Sequence, residues 1–178
     1  MIIILIIKSN AKMKKIICVF AIAVNLIAAC QPKTKIVPVD TEVAKASITA
    51  LLDKYNTAFK AKDSNTLIAL LTSDALACGT DPSEFWNKKQ ITDGWTQAFA
   101  DTSLKINYSI DKREIRLALD GNSALVVEQY IMSALSSKIP IRSIYHTVKV
   151  DENWMLDFIS WNFIPKNEDI SRLNKALE

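Results

Sequence analysis

The spacing of apolar residues in this chain changes once, near residue 102, from the period of a helix to that of a strand. Between residues 43 and 101, apolar side chains recur at three- and four-residue steps, as they do in amphipathic helices. From residue 104 to 163 they mostly alternate with polar ones, as in strands with one buried face. Helices followed by a run of strands predict an α+β domain in which helices cover one face of an antiparallel sheet.

Turn and cap residues divide the two halves into elements. We predict one helix at about residues 43–61, a second, short helix that begins after a cap at Asp63 or Ser64, and a third at about 88–101. A brief strand at 74–79 and a break in the chain at 79–82 separate the second helix from the third. Four strands are predicted at about 104–119, 124–135, 139–150 and 154–163. Residues 120–122 (DGN) and 151–153 (DEN) predict turns, and residues 171–177 a short closing helix.

The first 29 residues have the layout of a secretory signal peptide. Lys14 and Lys15 precede an apolar run at residues 16–29, and the segment contains no Asp or Glu. Met13 is a better start than Met1, because it stands directly before the charged pair. The apolar run is shorter than the ~20 residues that span a bilayer, which argues against a transmembrane anchor.

The segment ends in the sequence IAAC at residues 27–30, which resembles a lipobox. This resemblance implies cleavage before Cys30 and acylation of Cys30, giving a lipoprotein anchored in a membrane. Residues 30–41 are then a lipidated cysteine and a tether, and residues 42–178 are the folded domain. Gln31, where inner-membrane retention signals carry Asp, favours the outer membrane of the cell envelope and leaves the side open.

Composition after cleavage bounds the partners and cofactors. Removing residues 1–29 leaves 18 basic against 19 acidic residues, a net charge of −1 that gives no support for nucleic-acid binding. Beside Cys30, the mature chain has one thiol, at Cys78, and one histidine, His146. These cannot supply a familiar zinc set, and the three glycines are isolated, so we predict no metal and no cofactor.

Three stretches resemble the SnoaL-like branch of the nuclear transport factor 2 family. They are residues 52–63 (LDKYNTAFKAKD), residues 79–91 (GTDPSEFWNKKQI) and Trp154 at the start of the last strand. The resemblance implies a cone: a strongly curved antiparallel sheet with three N-terminal helices on its concave face, enclosing a pocket for a small ligand. The fold hosts isomerases, cyclases, hydratases, non-catalytic binders and dimerisation modules, so it does not by itself give the function.

Aromatic side chains are the candidates for lining that pocket. They come from the elements that would surround the interior of the cone, although aromatic residues at helical spacing also serve as core. The candidate ligand-pocket residues are Tyr55, Phe59, Trp86, Trp95, Phe99, Tyr145, Phe158 and Ser160.

Candidates for acid–base chemistry are few. Glu128 and Tyr130 share one face of their strand, and Asp157 stands on an apolar strand. His146 faces the pocket if the turn at 151–153 has three loop residues, whereas Tyr145 does so if it has two. Many SnoaL-like sequences carry histidines at the positions of Phe158 and Ser160, and this departure argues against catalysis.

Three functions remain. The first is a lipid-anchored, non-catalytic binder of a small apolar or amphipathic ligand. The second is an isomerase, dehydratase or hydrolase that uses Glu128, Asp157 or His146 as base, with Tyr130 or Tyr145 as proton donor. The third is an interaction module that forms a homodimer through a sheet face, for which the candidate residues are Ile159, Trp161 and Phe163.

Overall fold

The computed structural model describes residues 40–178. Within that range the helices are α1 (Thr41–Ala61), α2 (Ser64–Ala69), α3 (Lys88–Ala100) and α4 (Ile170–Ala176), and a 3-10 turn (Asn167–Asp169) precedes α4. The strands are β1 (Leu71–Cys78), β2 (Phe85–Asn87), β3 (Ile110–Leu117), β4 (Ser123–Tyr130), β5 (Ile141–Val150) and β6 (Asn153–Phe163). The predicted signal peptide, the lipidation of Cys30 and nearly all of the tether lie outside the described residues.

Side-chain caps fix the starts of the helices. Asp40 accepts hydrogen bonds from the first backbone N–H groups of α1, and Asp63 accepts one from Thr66 at the start of α2. At α3, Asn87 and Gln90 form a reciprocal capping box, each side chain accepting a bond from the other's backbone N–H. Because a cap and its acceptor lie within three residues, these boundaries follow from local sequence.

The sheet is curved and mixed, with the strand order β2-β1-β6-β5-β4-β3. Every neighbouring pair is antiparallel except β1 and β6, which run parallel. The prediction of a purely antiparallel sheet is therefore wrong at this pair. β1 ends at Cys78 and β6 begins only at Asn153, and such a distant pair is not restricted to the antiparallel geometry that a tight hairpin imposes.

Three segments differ from their predicted structure. The short strand β2 was not predicted, and it pairs antiparallel with the end of β1. Residues 104–109 were predicted to begin a strand and residues 131–135 to end one, but neither stretch has a strand partner. The alternation that suggested a strand is still visible as burial, because Leu104, Ile106 and Tyr108 point inward while their neighbours are exposed.

The hairpin between β5 and β6 decides which side chains face the interior. Its loop has two residues, Asp151 and Glu152, both with positive φ (47° and 67°), as a primed hairpin turn requires. Farther along, the register shifts so that Asp157 has no partner and His146 pairs with Phe158. This bulge restores the pairing that a three-residue loop would have produced.

We call the face of the sheet that carries Val126, Tyr145 and Ile159 the inner face. Its side chains pack against α1 and α3 in the main hydrophobic core, whose fully buried members include Ile48, Leu52, Tyr55, Ile91, Val126, Tyr145, Leu156 and Ile159. Burying each such side chain stabilises the fold by about 1.5–3 kcal/mol. A second cluster, of Tyr108, Tyr130, Met132 and Ile141, extends the core toward one end.

Candidate functional site

A cavity of about 240 Å³ opens beside α3 at the inner face of the sheet. Four of the eight predicted pocket residues line it: Phe59, Trp86, Trp95 and Phe99. Further apolar walls come from the 101–109 segment, from the chain after β4, and from β5 and β6: Leu104, Ile106, Met132, Leu135, Ile141 and Trp161. The cavity is therefore suited to an apolar group.

The aromatic wall is held in place by ring–ring contacts between α1 and α3. The Phe59 ring meets Phe99 edge to face at a centroid distance of 5.5 Å and Trp95 at 6.4 Å. Trp95 and Phe99 stand four residues apart, so they lie on the same side of α3. Trp86 enters from β2, directly before the cap of that helix.

A polar corner interrupts the apolar lining at Gly79, Thr80 and Glu84. The Glu84 carboxylate accepts a hydrogen bond from the Asp81 backbone N–H at 2.9 Å, and the Gly79 N–H donates to the Glu84 carbonyl at 2.9 Å. A β-carbon at position 79 would overlap the Glu84 side chain. Glycine at this position thus makes room for a carboxylate at the cavity wall.

Two other predicted pocket residues, Tyr55 and Tyr145, lie behind the cavity wall. Tyr55 packs on Phe59 at 6.0 Å and on Trp95 at 6.2 Å, and Tyr145 meets Tyr55 edge-on at 5.5 Å. Both tyrosines are buried in the core, with 1% and 0% of their surface exposed. They support the lining aromatics and do not reach the cavity themselves.

The structure does not bring Phe158 and Ser160 to the cavity. They lie with His146 on the outer face of the sheet, because the bulge at Asp157 turns Ile159 inward, opposite the buried Tyr145. On that outer face His146 Nδ1 lies 2.7 Å from Asp157 Oδ1, and the two side chains are 39% and 30% exposed. The His146–Asp157 pair is therefore separated from the cavity by the sheet.

Glu128, the other candidate base, is fully buried and held by three side chains. Arg113 Nε donates to its Oε1 at 2.6 Å, Asn56 Nδ2 lies 3.1–3.2 Å from both oxygens, and the Tyr145 hydroxyl donates to Oε2 at 3.3 Å. Tyr108 extends the network by donating to Asn56 Oδ1 at 2.8 Å. These hydrogen bonds satisfy the buried carboxylate. They also connect α1 to the strands β3, β4 and β5 and to the 101–109 segment.

The tyrosines around Glu128 remain protonated at neutral pH. Burial raises the pKa of Tyr130 to about 12; a hydrogen bond with Ser143 opposes this rise and the Glu128 charge adds to it. Burial also raises the pKa of Tyr55, Tyr108 and Tyr145. Glu128 and Tyr130 share one face of β4, as their alternation predicted, and the structure shows that this is the inner face. The Tyr130 hydroxyl lies 2.9 Å from Ser143 Oγ.

Comparison with known families decides the membership of the chain. The model of the SnoaL-like domain matches residues 48–159, which is more than half of the chain. The chain belongs to the SnoaL-like domain family. No curated protein matches it.

Solved structures similar to this SnoaL-like domain share its fold at low sequence identity. An NTF2-like protein of unknown function from Pseudomonas putida KT2440 is 15% identical, with a TM-score of 0.63, covering 72% of this chain and 92% of its own. An NTF2-like protein from Cytophaga hutchinsonii is 17% identical, with a TM-score of 0.57 and coverages of 67% and 98%. A domain of unknown function with a cystatin-like fold from Nostoc punctiforme is 19% identical, with a TM-score of 0.59 and coverages of 76% and 86%. These likenesses show the fold alone.

The sheet face expected to form a dimer is placed differently in the SnoaL-like domain. Ile159 is 1% exposed and belongs to the core, and Trp161 packs against both hydrophobic clusters. Phe163, at the end of β6, is 37% exposed. The assignment of these three residues to an outer face is therefore corrected, because the bulge at Asp157 turns them to the inner side; dimerisation itself stays a prediction.

Two features are absent from residues 40–178. No helix in this range is both long and apolar enough to cross a membrane. In the same range, no group of three or more His, Cys, Asp and Glu side chains is arranged to hold a metal ion.

Sequence reasoning missed two cavity residues that matter for ligand choice. Glu84 directly follows the predicted break at residues 79–82, and nothing in the local sequence indicates that it borders a cavity. Trp161 was assigned to the dimer face because the sequence pattern does not show the bulge at Asp157. The inward alternation of Leu104 and Ile106, by contrast, was visible in the sequence and would have indicated a wall of the cavity.

Proposed function

We propose that this SnoaL-like domain is a non-catalytic binder of a small apolar or amphipathic molecule, held at the cell envelope by a lipid on Cys30. The cavity of about 240 Å³ with its aromatic and aliphatic lining is the observation that carries the proposal. Pockets for drug-sized ligands are roughly 300–1,000 Å³. The ligand is accordingly small, with one apolar part that fills the space beside Trp95 and Phe99.

The positions of the candidate bases favour binding over catalysis. A general base must lie within hydrogen-bond reach of the proton that it takes. The His146–Asp157 pair lies across the sheet from the cavity, and Glu128 is engaged by Arg113 in the interior. The cavity lining itself includes a carboxylate, Glu84, but no histidine or tyrosine among the described residues.

Gly94 offers a direct test, because it lines the cavity from the middle of α3. A β-carbon at this position would meet no other atom within 4 Å, so a larger side chain has room to grow into the cavity. We expect 1-hexanol to change the tryptophan emission of the wild-type chain saturably, since Trp86, Trp95 and Trp161 border the cavity. Gly94→Leu should weaken that binding by about tenfold or more, or ~1.4 kcal/mol.

Gly94→Ala is the matched control, as it changes the same position by a single methyl group. It should bind 1-hexanol within about twofold of the wild type. Unsaturable binding by the wild-type chain, or equal affinities of Gly94→Leu and Gly94→Ala, would contradict the proposal.

The lipid anchor is tested separately, in cells. The IAAC sequence at residues 27–30 is the motivation for this part of the proposal. Metabolic labelling with palmitate should mark the wild-type chain, and the labelled chain should sediment with membranes. Cys30→Ser should lose the label, whereas Cys78→Ser, which alters the thiol inside the domain, should keep it. A labelled Cys30→Ser chain would rule out this site of acylation.

A further inference from the structure

The lining of the cavity carries charge of one sign only. Glu84 is its charged residue, and no Lys, Arg or His of the described range belongs to the lining. A second, shallower pocket of about 360 Å³ adjoins the cavity and shares Gly79, Thr80, Glu84 and Trp161 with it. That pocket adds Asp81 and again no basic side chain among the described residues.

Glu84 is placed to receive a ligand at the point where the two pockets meet. Its carboxylate uses one acceptor position for the Asp81 backbone N–H, at 2.9 Å, and a carboxylate has about four. Hydrogen bonds from Ser83 lower the pKa of the second carboxylate, Asp81, which is therefore ionised at neutral pH. A molecule entering from the shallow pocket therefore passes two negative charges before it reaches the apolar cavity.

We propose that the ligand of this cavity is a small organic cation, an alkyl- or arylammonium ion whose tail fills the apolar space and whose ammonium group bonds to Glu84. This inference rests on the proposed function and specifies its ligand class. Trp86 and Trp161 line the same cavity as Glu84, and aromatic faces attract ammonium groups. A fatty acid of the same length is disfavoured, since its carboxylate would lie beside Glu84 with no basic side chain in the lining.

Three ligands with one tail separate the charge from the apolar contribution. Hexylammonium, 1-hexanol and hexanoate are titrated against the full chain in a neutral detergent, with tryptophan emission and isothermal calorimetry as readouts. We expect hexylammonium to bind about tenfold more tightly than 1-hexanol, the size of one charge-assisted hydrogen bond in a partly buried site, and hexanoate to bind most weakly.

Glu84→Gln should remove the preference for the cation, so that hexylammonium and 1-hexanol bind this variant with affinities that agree within about twofold. Glu114→Gln, the same chemical change at an exposed position on β3, should keep the wild-type preference. Because ligand partition into detergent is common to all variants, the ratio of affinities between variants is independent of it. If Glu84→Gln fails to fold, the inference is tested on the wild-type chain alone. Hexylammonium should then bind more tightly than 1-hexanol and hexanoate, and added salt should reduce its advantage.

The outcomes distinguish this inference from the function on which it rests. If 1-hexanol binds the wild-type chain but hexylammonium binds no more tightly, the proposal of a cationic ligand is overturned, whereas the proposal of an apolar ligand is kept. If Glu84→Gln keeps the full preference, Glu84 is not the ammonium site. If none of the three ligands binds, the proposed function fails as well.

Discussion

Arg113 and Glu128 form an ion pair inside the domain, with an N–O distance of 2.6 Å and with Glu128 fully buried. Arg113 also contacts Asp53 of α1 at 2.8 Å, so the guanidinium links strands β3 and β4 to the first helix. Partial burial opposes the charge on the guanidinium, yet the nearby Glu128 charge and the hydrogen bonds that Arg113 donates to both carboxylates raise the pKa of Arg113. Arg113 therefore keeps its positive charge at neutral pH.

Arg113→Met should lower the free energy of unfolding by about 3 kcal/mol, because it leaves the Glu128 carboxylate buried without its charge partner. Arg116→Met, on the exposed side of the same strand, should change it by less than about 0.5 kcal/mol. Urea denaturation followed by circular dichroism measures both. Equal effects of the two substitutions would show that the buried pair contributes nothing specific.

The hydroxyls of Tyr108 and Tyr55 should have opposite effects on stability. Tyr108 donates to Asn56 at 2.8 Å, so Tyr108→Phe leaves a buried acceptor unpaired and should cost about 1–2 kcal/mol. The Tyr55 hydroxyl is buried with no hydrogen-bond partner in the described part of the chain. Tyr55→Phe should therefore be neutral or stabilising, and a loss comparable to that of Tyr108→Phe would contradict this assignment.

Stability should fall steeply above pH 10, because all four tyrosines of the chain are buried. Unfolded tyrosine loses its proton near pH 10, whereas burial raises the pKa of Tyr130 to about 12 in the folded state. Between these values the folded state binds the extra proton, so each such tyrosine lowers the free energy of unfolding by about 1.4 kcal/mol per pH unit.

Tyrosinate absorbance and far-ultraviolet circular dichroism should consequently change together in an alkaline titration, as a single transition. A tyrosinate signal that develops while the circular dichroism remains native would mean that at least one ring is accessible in the folded protein.

Replacing Gly94 and Gly121 by alanine should change the stability of the domain in opposite directions. Gly94 lies in the interior of α3 with open space around its α-carbon, so Gly94→Ala should stabilise the domain by about 0.5–1 kcal/mol through helix propensity. Gly121 has a φ of 70° in the turn between β3 and β4, where Gly121→Ala should destabilise it by about 1 kcal/mol. Thermal unfolding of the two variants compares them directly, and a lower melting temperature for Gly94→Ala would refute the first expectation.

Much of the fold could be predicted because its signals are local. The helix predicted at residues 88–101 is Lys88–Ala100, since Asn87 and Gln90 cap it within four residues. The turn expected at residues 151–153 lies at Asp151 and Glu152, between the two strands that the alternation predicted. Half of the expected pocket residues also line the cavity, because helical spacing fixes which side chains of α1 and α3 share a face.

The amino-acid sequence by itself determined the order of the helices and of every strand except β2, the helix caps, the hairpin turns and the alternation of side chains along the strands. Only the tertiary structure decided that β1 lies parallel to β6, that Asp157 bulges out, and that Glu84 reaches the cavity wall. Caps and turns are set by interactions over a few residues. Strand register depends on packing between segments far apart in the chain, and a shift of one residue exchanges the two faces of a strand.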